Sequence, residues 1–259
     1  MEPKRSDLVR MARQTGEILR AGFGKQHQVE YKGIINPVTE MDRQAETFLL
    51  EQIKHSFPTH TIITEESGHL PGDDDHCWYI DPLDGTSNYA HNLPIFSVSI
   101  AYALDGRVVQ GAIYDPMQDE CFSAGRGEGA WLNGKPIHVS NTNDLNKSLL
   151  ATGFPYDIQT NPQDNLDNFS YFTRHTEAVR RLGSAALDLA YVAAGRLDGY
   201  WEKGIYAWDI AAGALIVEEA GGLVSDLEGN PDYFQPPYPI VAAAPGIHPQ
   251  LIAGLNRYK

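Results

Sequence analysis

The chain has 259 residues, 42% of them hydrophobic and 21% charged, with a formal net charge of −14. That length can bury a large core, and the acidic balance argues against nucleic acid or an anionic membrane surface as a partner, because neither offers it counter-charge. Two cysteines, Cys77 and Cys121, are too few for a disulfide framework and read as buried thiols. The start, Met1 to Asp7, is polar with no apolar segment behind it. No apolar run reaches the ~18 residues of a membrane span. A cytoplasmic protein without a secretory signal is expected.

In chain order, Leu8, Met11, Ala12, Thr15, Ile18 and Leu19 recur at helical steps, predicting an amphipathic helix from Ser6 to about Phe23. A second helix is expected from about Thr39 to Phe57, with Ala45, Phe48, Leu49 and Ile53 on its buried face and Pro58 as its stop. Thr61 to Thr64 reads as a short strand delivering Glu65-Glu66, and Asp73 to Asp75 as a solvated loop. Strand-like runs follow at Phe96 to Ala103, Val108 to Tyr114, Glu120 to Ala124 and Gly129 to Leu132. Asp105-Gly106 and Asn133-Gly134 are hairpin dipeptides, so this section predicts an antiparallel meander. Asn141 to Lys147 is polar and turn-rich, which suggests an α+β half over residues 1–143 and an α/β half over 144–259, joined in one compact unit. In the second half, strands are expected at Leu149 to Ala151, Ala178 to Leu182, Leu197 to Trp201 and Val241 to Ala244. Helices are expected from Asn165 to Glu177, from Ser184 to Gly195, from Asp209 to Ala220 and from about His248.

The chemistry concentrates at Ile80-Asp81-Pro82-Leu83-Asp84-Gly85-Thr86-Ser87. A short apolar run is expected to break there into a turn stiffened by Pro82, so that Asp81 and Asp84 converge on one point. Two like charges held close call for a cation, and Gly85 and Thr86 offer the backbone N–H groups and hydroxyl that an anion would want. Glu65-Glu66 also follows a strand and could face the same crevice, or could be a solvated turn. Trp208-Asp209-Ile210 places an acid at the start of an Ala-rich helix, where it could serve as a cap alone or turn one oxygen outward. Gly125-Arg126-Gly127-Glu128-Gly129 precedes a strand and no helix, so it is not read as a nucleotide loop. The nine histidines show no metal-ligand spacing, and no nucleophile elbow is present. Any reaction should therefore use metal-activated water.

Glu65-Glu66-Ser67, Asp81 to Thr86 and Trp208 to Gly213, in that order, resemble the inositol monophosphatase family. Ala151 to Pro155, Arg181 to Ala186 and Leu197 to Glu202 extend the likeness over nearly the whole chain. The resemblance implies a layered α-β-α-β-α sandwich, usually a homodimer, using Mg²⁺ (two or three ions), commonly inhibited by Li⁺ and acting on a small phosphate ester. It implies Glu65, Asp81, the Leu83 carbonyl, Asp84 and Asp209 as metal ligands, and Gly85 and Thr86 as phosphate holders. Gly183, Ser184, Ala185 and Glu202, with Asp84, fall where the family contacts the alcohol. Thr86 would orient the water on the Glu65 side and be oriented in turn by Asp42; Lys32 matches a weaker position nearby. The acid at Glu202 favours myo-inositol 1-phosphate over fructose 1,6-bisphosphate, histidinol phosphate or 3′-phosphonucleotides, although Arg180 and Arg181 keep a bisphosphate open. A catalytically silent metal-binding regulator on the same fold is the reading of another class.

Overall fold

The computed structural model describes residues 2–27, 29–31, 37–155, 157–161 and 164–257. Its first half contains α1 (Arg5–Gly22), β1 (Val29–Tyr31), β2 (Pro37–Thr39), α2 (Glu40–Ser56), β3 (His60–Thr64), β4 (Gly68–Leu70), β5 (Asp73–Asp84) and α3 (Thr86–Ala90). The meander follows as β6 (Ser97–Leu104), β7 (Arg107–Asp115), β8 (Glu120–Gly125), β9 (Gly129–Leu132) and β10 (Lys135–Pro136). The second half holds β11 (Leu149–Thr152), α4 (Leu166–His175), β12 (Ala178–Arg180), α5 (Ala185–Ala193), β13 (Gly199–Glu202), α6 (Ala207–Glu219), β14 (Leu223–Ser225), β15 (Ile240–Ala243) and α7 (His248–Leu255).

Eight strands form one sheet in the order β10-β9-β8-β7-β6-β5-β3-β4, and five form a second in the order β12-β11-β13-β15-β14. The hairpin dipeptides do what their composition demands: Asp105, Gly106, Asn133 and Gly134 all take positive φ. α1 and α2 cover one face of the large sheet, with Leu8, Met11, Leu19, Leu49 and Ile53 packed on Trp78, Ile100 and Tyr114. α5 and α6 lie between the two sheets, in a core that draws Ile113 and Phe122 from the first half and Leu187, Ile210, Ile216 and Tyr200 from the second. α4 and α7 close the outer face of the small sheet around Phe172, Trp201 and Leu251. The result is the layered sandwich expected from the resemblance. α6 is apolar all round because it faces a sheet on each side. Its backbone comes so close to β7 that a Cβ on Gly111 would lie 3.1 Å from the Ala212 Cα and carbonyl oxygen.

Four expectations change. Asp73 to Asp75 are exposed, as expected, but belong to the start of β5: Asp73 pairs with His60 of β3, and Asp74 and Asp75 fall in the register shift before Cys77 meets Thr61. β5 does not end at Ile80; it runs on through Asp84 with a register shift against β6 between Asp81 and Asp84. A bulge accommodates Pro82, which has no N–H to give the ladder. On α2, Phe48 is only half-buried while Asp42 and Glu46 face inward. Asp209 is the third residue of α6 and not its first, because Ala207 and Trp208 already belong to the helix; from there one oxygen still caps by accepting from Tyr206 N.

Candidate metal and substrate site

β3 and β5 run parallel, pairing Thr64 with Ile80. Glu65, just past the end of β3, is therefore level with Asp81 in the neighbouring β5, where carboxylates can face one crevice. The turn carrying Glu65 is fixed by Glu46, which sequence reading passed over. Its Oε1 accepts from Thr64 Oγ1 (2.7 Å), Ser67 N (3.0 Å) and Glu66 N (3.2 Å), and its Oε2 from Ser67 Oγ (2.6 Å). The available signal was a Glu in register with Ala45, Leu49 and Ile53 on an otherwise apolar face.

The β5 bulge turns Asp81 and Asp84 toward one point. One carboxylate oxygen from each of Asp81, Asp84 and Asp209 lies within 4.8 Å of the others, while Glu65 lies outside that group. Asp81 is buried, accepts from Leu83 N at 2.9 Å, and is pushed well above the usual carboxylate range by burial and by the charges of Glu65, Asp84 and Asp209. Asp209 is pushed the same way by burial, Asp84 and Glu65, although Tyr206 N donates to it at 3.0 Å. Asp84 is raised by burial but held partly in check by donors: Ser184 Oγ (2.5 Å), Ala186 N (2.9 Å), Ala185 N (3.3 Å) and Ser97 Oγ (3.4 Å). The start of α5 thus grips the carboxylate from β5, the favourable end of a helix for a negative charge. Three hard-oxygen groups, crowded and short of counter-charge, fit an oxygen-seeking divalent cation.

Thr86 Oγ1 lies 2.8 Å from Asp42 Oδ1 and 3.0 Å from the Leu83 carbonyl, so that carbonyl already meets the hydroxyl. Asp42 also caps α2: its Oδ2 accepts from Thr39 N and Thr39 Oγ1, both at 2.7 Å. Burial nevertheless raises its proton affinity. Gly85 takes φ 99, and a Cβ there would stand 2.9 Å from the Ile95 carbonyl and 3.2 Å from that of Gly183, so only glycine fits between β5 and the loop before α5. Asn88 Nδ2 ties the same loops by donating to Ile95 O and Leu182 O, both at 2.8 Å.

On the other side of the crevice, β11 and β13 run parallel with Thr152 opposite Trp201, which sets Gly153 beside Glu202. A Cβ on Gly153 would come within 2.1 Å of the Glu202 carboxyl. Glu202 is buried, accepts from Tyr200 OH, and is raised to about 7 by burial against the lowering pull of Tyr200 and Arg181. Asp84, Gly85, Thr86, Gly183, Ser184, Ala185, Glu202 and Asp209 all line one cleft enclosing about 80 Å³, and Arg181 and Asp188 join them there. Arg180 stays exposed and bonds its own strand. Lys32 lies outside the described residues.

Three discounted features keep plain structural roles. Gly127 N and Gly129 N turn inside the β8–β9 hairpin to hold the Glu219 carboxylate, each at 2.9 Å. Cys77 and Cys121 are free and buried, their thiols pushed up to about 11 and about 12 by burial. No helix among the described residues is long and apolar enough to cross a membrane.

Fold and site together define a layered α/β sandwich with an acidic, cation-seeking cleft between its two sheets. The chain belongs to the inositol monophosphatase family, whose model matches residues 2–259. It is 46% identical over 255 residues to Nus factor SuhB of Pasteurella multocida, covering 97% of this chain and 95% of that one. It is 49% identical over 225 residues to inositol-1-monophosphatase of Synechocystis, covering 84% and 78%. Among solved structures, inositol monophosphatase from Anabaena superposes with a TM-score of 0.89 at 43% identity, covering 97% and 94%. A relative named for something other than a phosphatase leaves the expectation of no nucleic-acid partner without support.

Proposed function

We propose that this chain is a Mg²⁺-dependent phosphomonoesterase whose preferred substrate is myo-inositol 1-phosphate, working as a Li⁺-sensitive homodimer. The observation that carries the reading is the convergence of Asp81, Asp84 and Asp209 within 4.8 Å, the last two lining a cleft that also contains Glu202. Bound Mg²⁺ would supply a water of lowered pKa and positive charge beside the leaving oxygen. Asp81, the Leu83 carbonyl, Asp84 and Asp209 would hold it, with Glu65 on the water side. Thr86 donates its hydroxyl hydrogen bond to Asp42 Oδ1, which leaves its lone pairs free to accept a hydrogen bond from the attacking water. The Gly85 and Thr86 amides hold phosphate. Glu202 accepts from hydroxyls of the alcohol, with Gly183, Ser184 and Ala185 along the same wall. The name of the Synechocystis relative supports this choice of substrate.

Purified protein with Mg²⁺ is expected to release phosphate from myo-inositol 1-phosphate with a higher kcat/KM than from fructose 1,6-bisphosphate, histidinol phosphate or a 3′-phosphonucleotide. The reverse order would overturn the substrate. No release from any of them, with or without Mg²⁺, would overturn the enzyme.

A second reading is a role as a Nus factor, favoured by near full-length identity to a relative of that name. The two readings separate on Asp209→Asn. Phosphate release should fall to background in that variant, whereas a function that needs only the folded surface should persist.

A further inference from the structure

The cleft wall contains one carboxyl that the reaction as described leaves idle. Asp188 sits in the second half of the first turn of α5, its N–H bonded to the Ser184 carbonyl at 3.0 Å. It is 2% exposed and lines the cleft, yet no hydrogen bond among the described residues reaches its carboxyl: Oδ1 is shut off from solvent without a partner, which leaves Oδ2 as the oxygen a hydroxyl in the cleft would meet. Buried polar atoms are nearly always satisfied, and leaving a carboxyl unmatched costs free energy. Every other acid of the cleft wall whose contacts are described above has its donor: Asp84 has Ser184 and the α5 amides, Glu202 has Tyr200, and Asp209 has Tyr206. Asp188 shares the lining with Glu202, Thr152, Gly153, Phe154 and Arg181. It is not among the carboxylates close enough to share an ion.

The structure assigns to Asp188 a role in substrate choice, and we propose that with Glu202 it forms a two-carboxyl floor bonding neighbouring hydroxyls on the alcohol half of a polyol phosphate. This rests on the phosphatase reading above. A hydroxyl suits the position because it can donate to a carboxylate and accept from a protonated carboxyl alike. Burial, then Glu202 and Asp84, push Asp188 well above the usual range against the pull of Arg181. A floor built to bond hydroxyls rejects an analogue that lacks them, because its buried polar atoms are then left unmatched.

The test compares kcat/KM for myo-inositol 1-phosphate with that for cyclohexyl phosphate, the same ring without hydroxyls, in the wild type, Asp188→Asn and Asp188→Ala. The preference for the polyol ester is expected to shrink at least ~10-fold in Asp188→Ala and by less in Asp188→Asn, which keeps an acceptor oxygen. Thermal melting of the metal-free Asp188→Asn protein is expected at or above the wild-type temperature, because the idle carboxyl is a cost of the empty site. An unchanged ratio overturns the inference, whether accompanied by a fall in melting temperature, which marks a structural acid, or by a raised Mg²⁺ requirement, which marks a metal-site acid. A wild type that hydrolyses neither ester fails the phosphatase reading itself and takes the inference with it. One that hydrolyses both, with an unmoved ratio, fails only the inference.

Discussion

Asp42 joins two functions in one carboxyl. One oxygen takes both donors of Thr39 and starts α2, while the other takes Thr86 Oγ1 in the cleft. Asp42→Ala should therefore cost about 1 kcal/mol of stability from the lost cap. It should also lower kcat about 10- to 100-fold, the usual penalty for removing a residue that orients a reacting group's neighbour. Thr86→Ala should lower kcat further while sparing the cap, so melting curves and kinetics of the two variants separate the roles. At Gly153 the constraint is space. Gly153→Ala would drive a methyl into the Glu202 carboxyl, and KM for a polyol ester should rise more than kcat falls.

At the scale of elements, the site is held by strand ends and helix starts that meet. Glu46 on α2 ties down the turn after β3 through three donors to Oε1 and one to Oε2. Removing it leaves several donors unmatched, so Glu46→Ala should destabilise by about 2–3 kcal/mol and raise the Mg²⁺ concentration needed for half-maximal activity. Denaturant midpoints and a Mg²⁺ titration check the two parts. The seam between α6 and β7 is equally exacting. Gly111→Ala places a methyl 3.1 Å from the Ala212 backbone, and overpacking of that kind costs about 1–3 kcal/mol. Because α6 carries Asp209, the same variant should weaken Mg²⁺ as well as stability.

For the whole molecule, the acidic cleft links stability to pH and metal. Burial and mutual repulsion raise the proton affinity of Asp81, Asp84 and Asp209 above that of the unfolded chain. The metal-free fold then binds more protons than the unfolded chain. The stability these groups contribute is greatest below the unfolded carboxylate range and falls as pH rises through their elevated folded values. A divalent cation reverses this by binding the ionised form. Mg²⁺ at ~100 times its dissociation constant should add about 2.7 kcal/mol, several degrees of Tm for a chain of this size. At a fixed Mg²⁺ concentration the gain should be larger at about pH 8 than at about pH 6, since protons compete for the same oxygens and weaken binding. Equal gains at both pH values, measured by thermal melting, would contradict a carboxylate-held ion.

The sequence by itself determined the alternation of elements, because apolar period and turn chemistry are local: the α1 stripe, the meander with its Asp-Gly and Asn-Gly turns, and the α/β alternation are all present as written. It also marked Asp81 and Asp84 by their order with Pro82, Gly85 and Thr86, whereas Asp209, at a helix start where acids are common, was marked only by the family resemblance. What only the tertiary structure decided depends on which residues meet across long stretches of chain. Asp73 to Asp75 joined the start of β5 because His60 of β3 offered Asp73 a partner, and Phe48 yielded the inner face of α2 because Asp42 and Glu46 had donors waiting there. Asp188 could not be told from an ordinary helix residue until folding buried its Oδ1 in the cleft wall without a partner. Periodicity records whether a position faces inward. Whether a polar atom placed there finds its match is settled only when distant segments arrive.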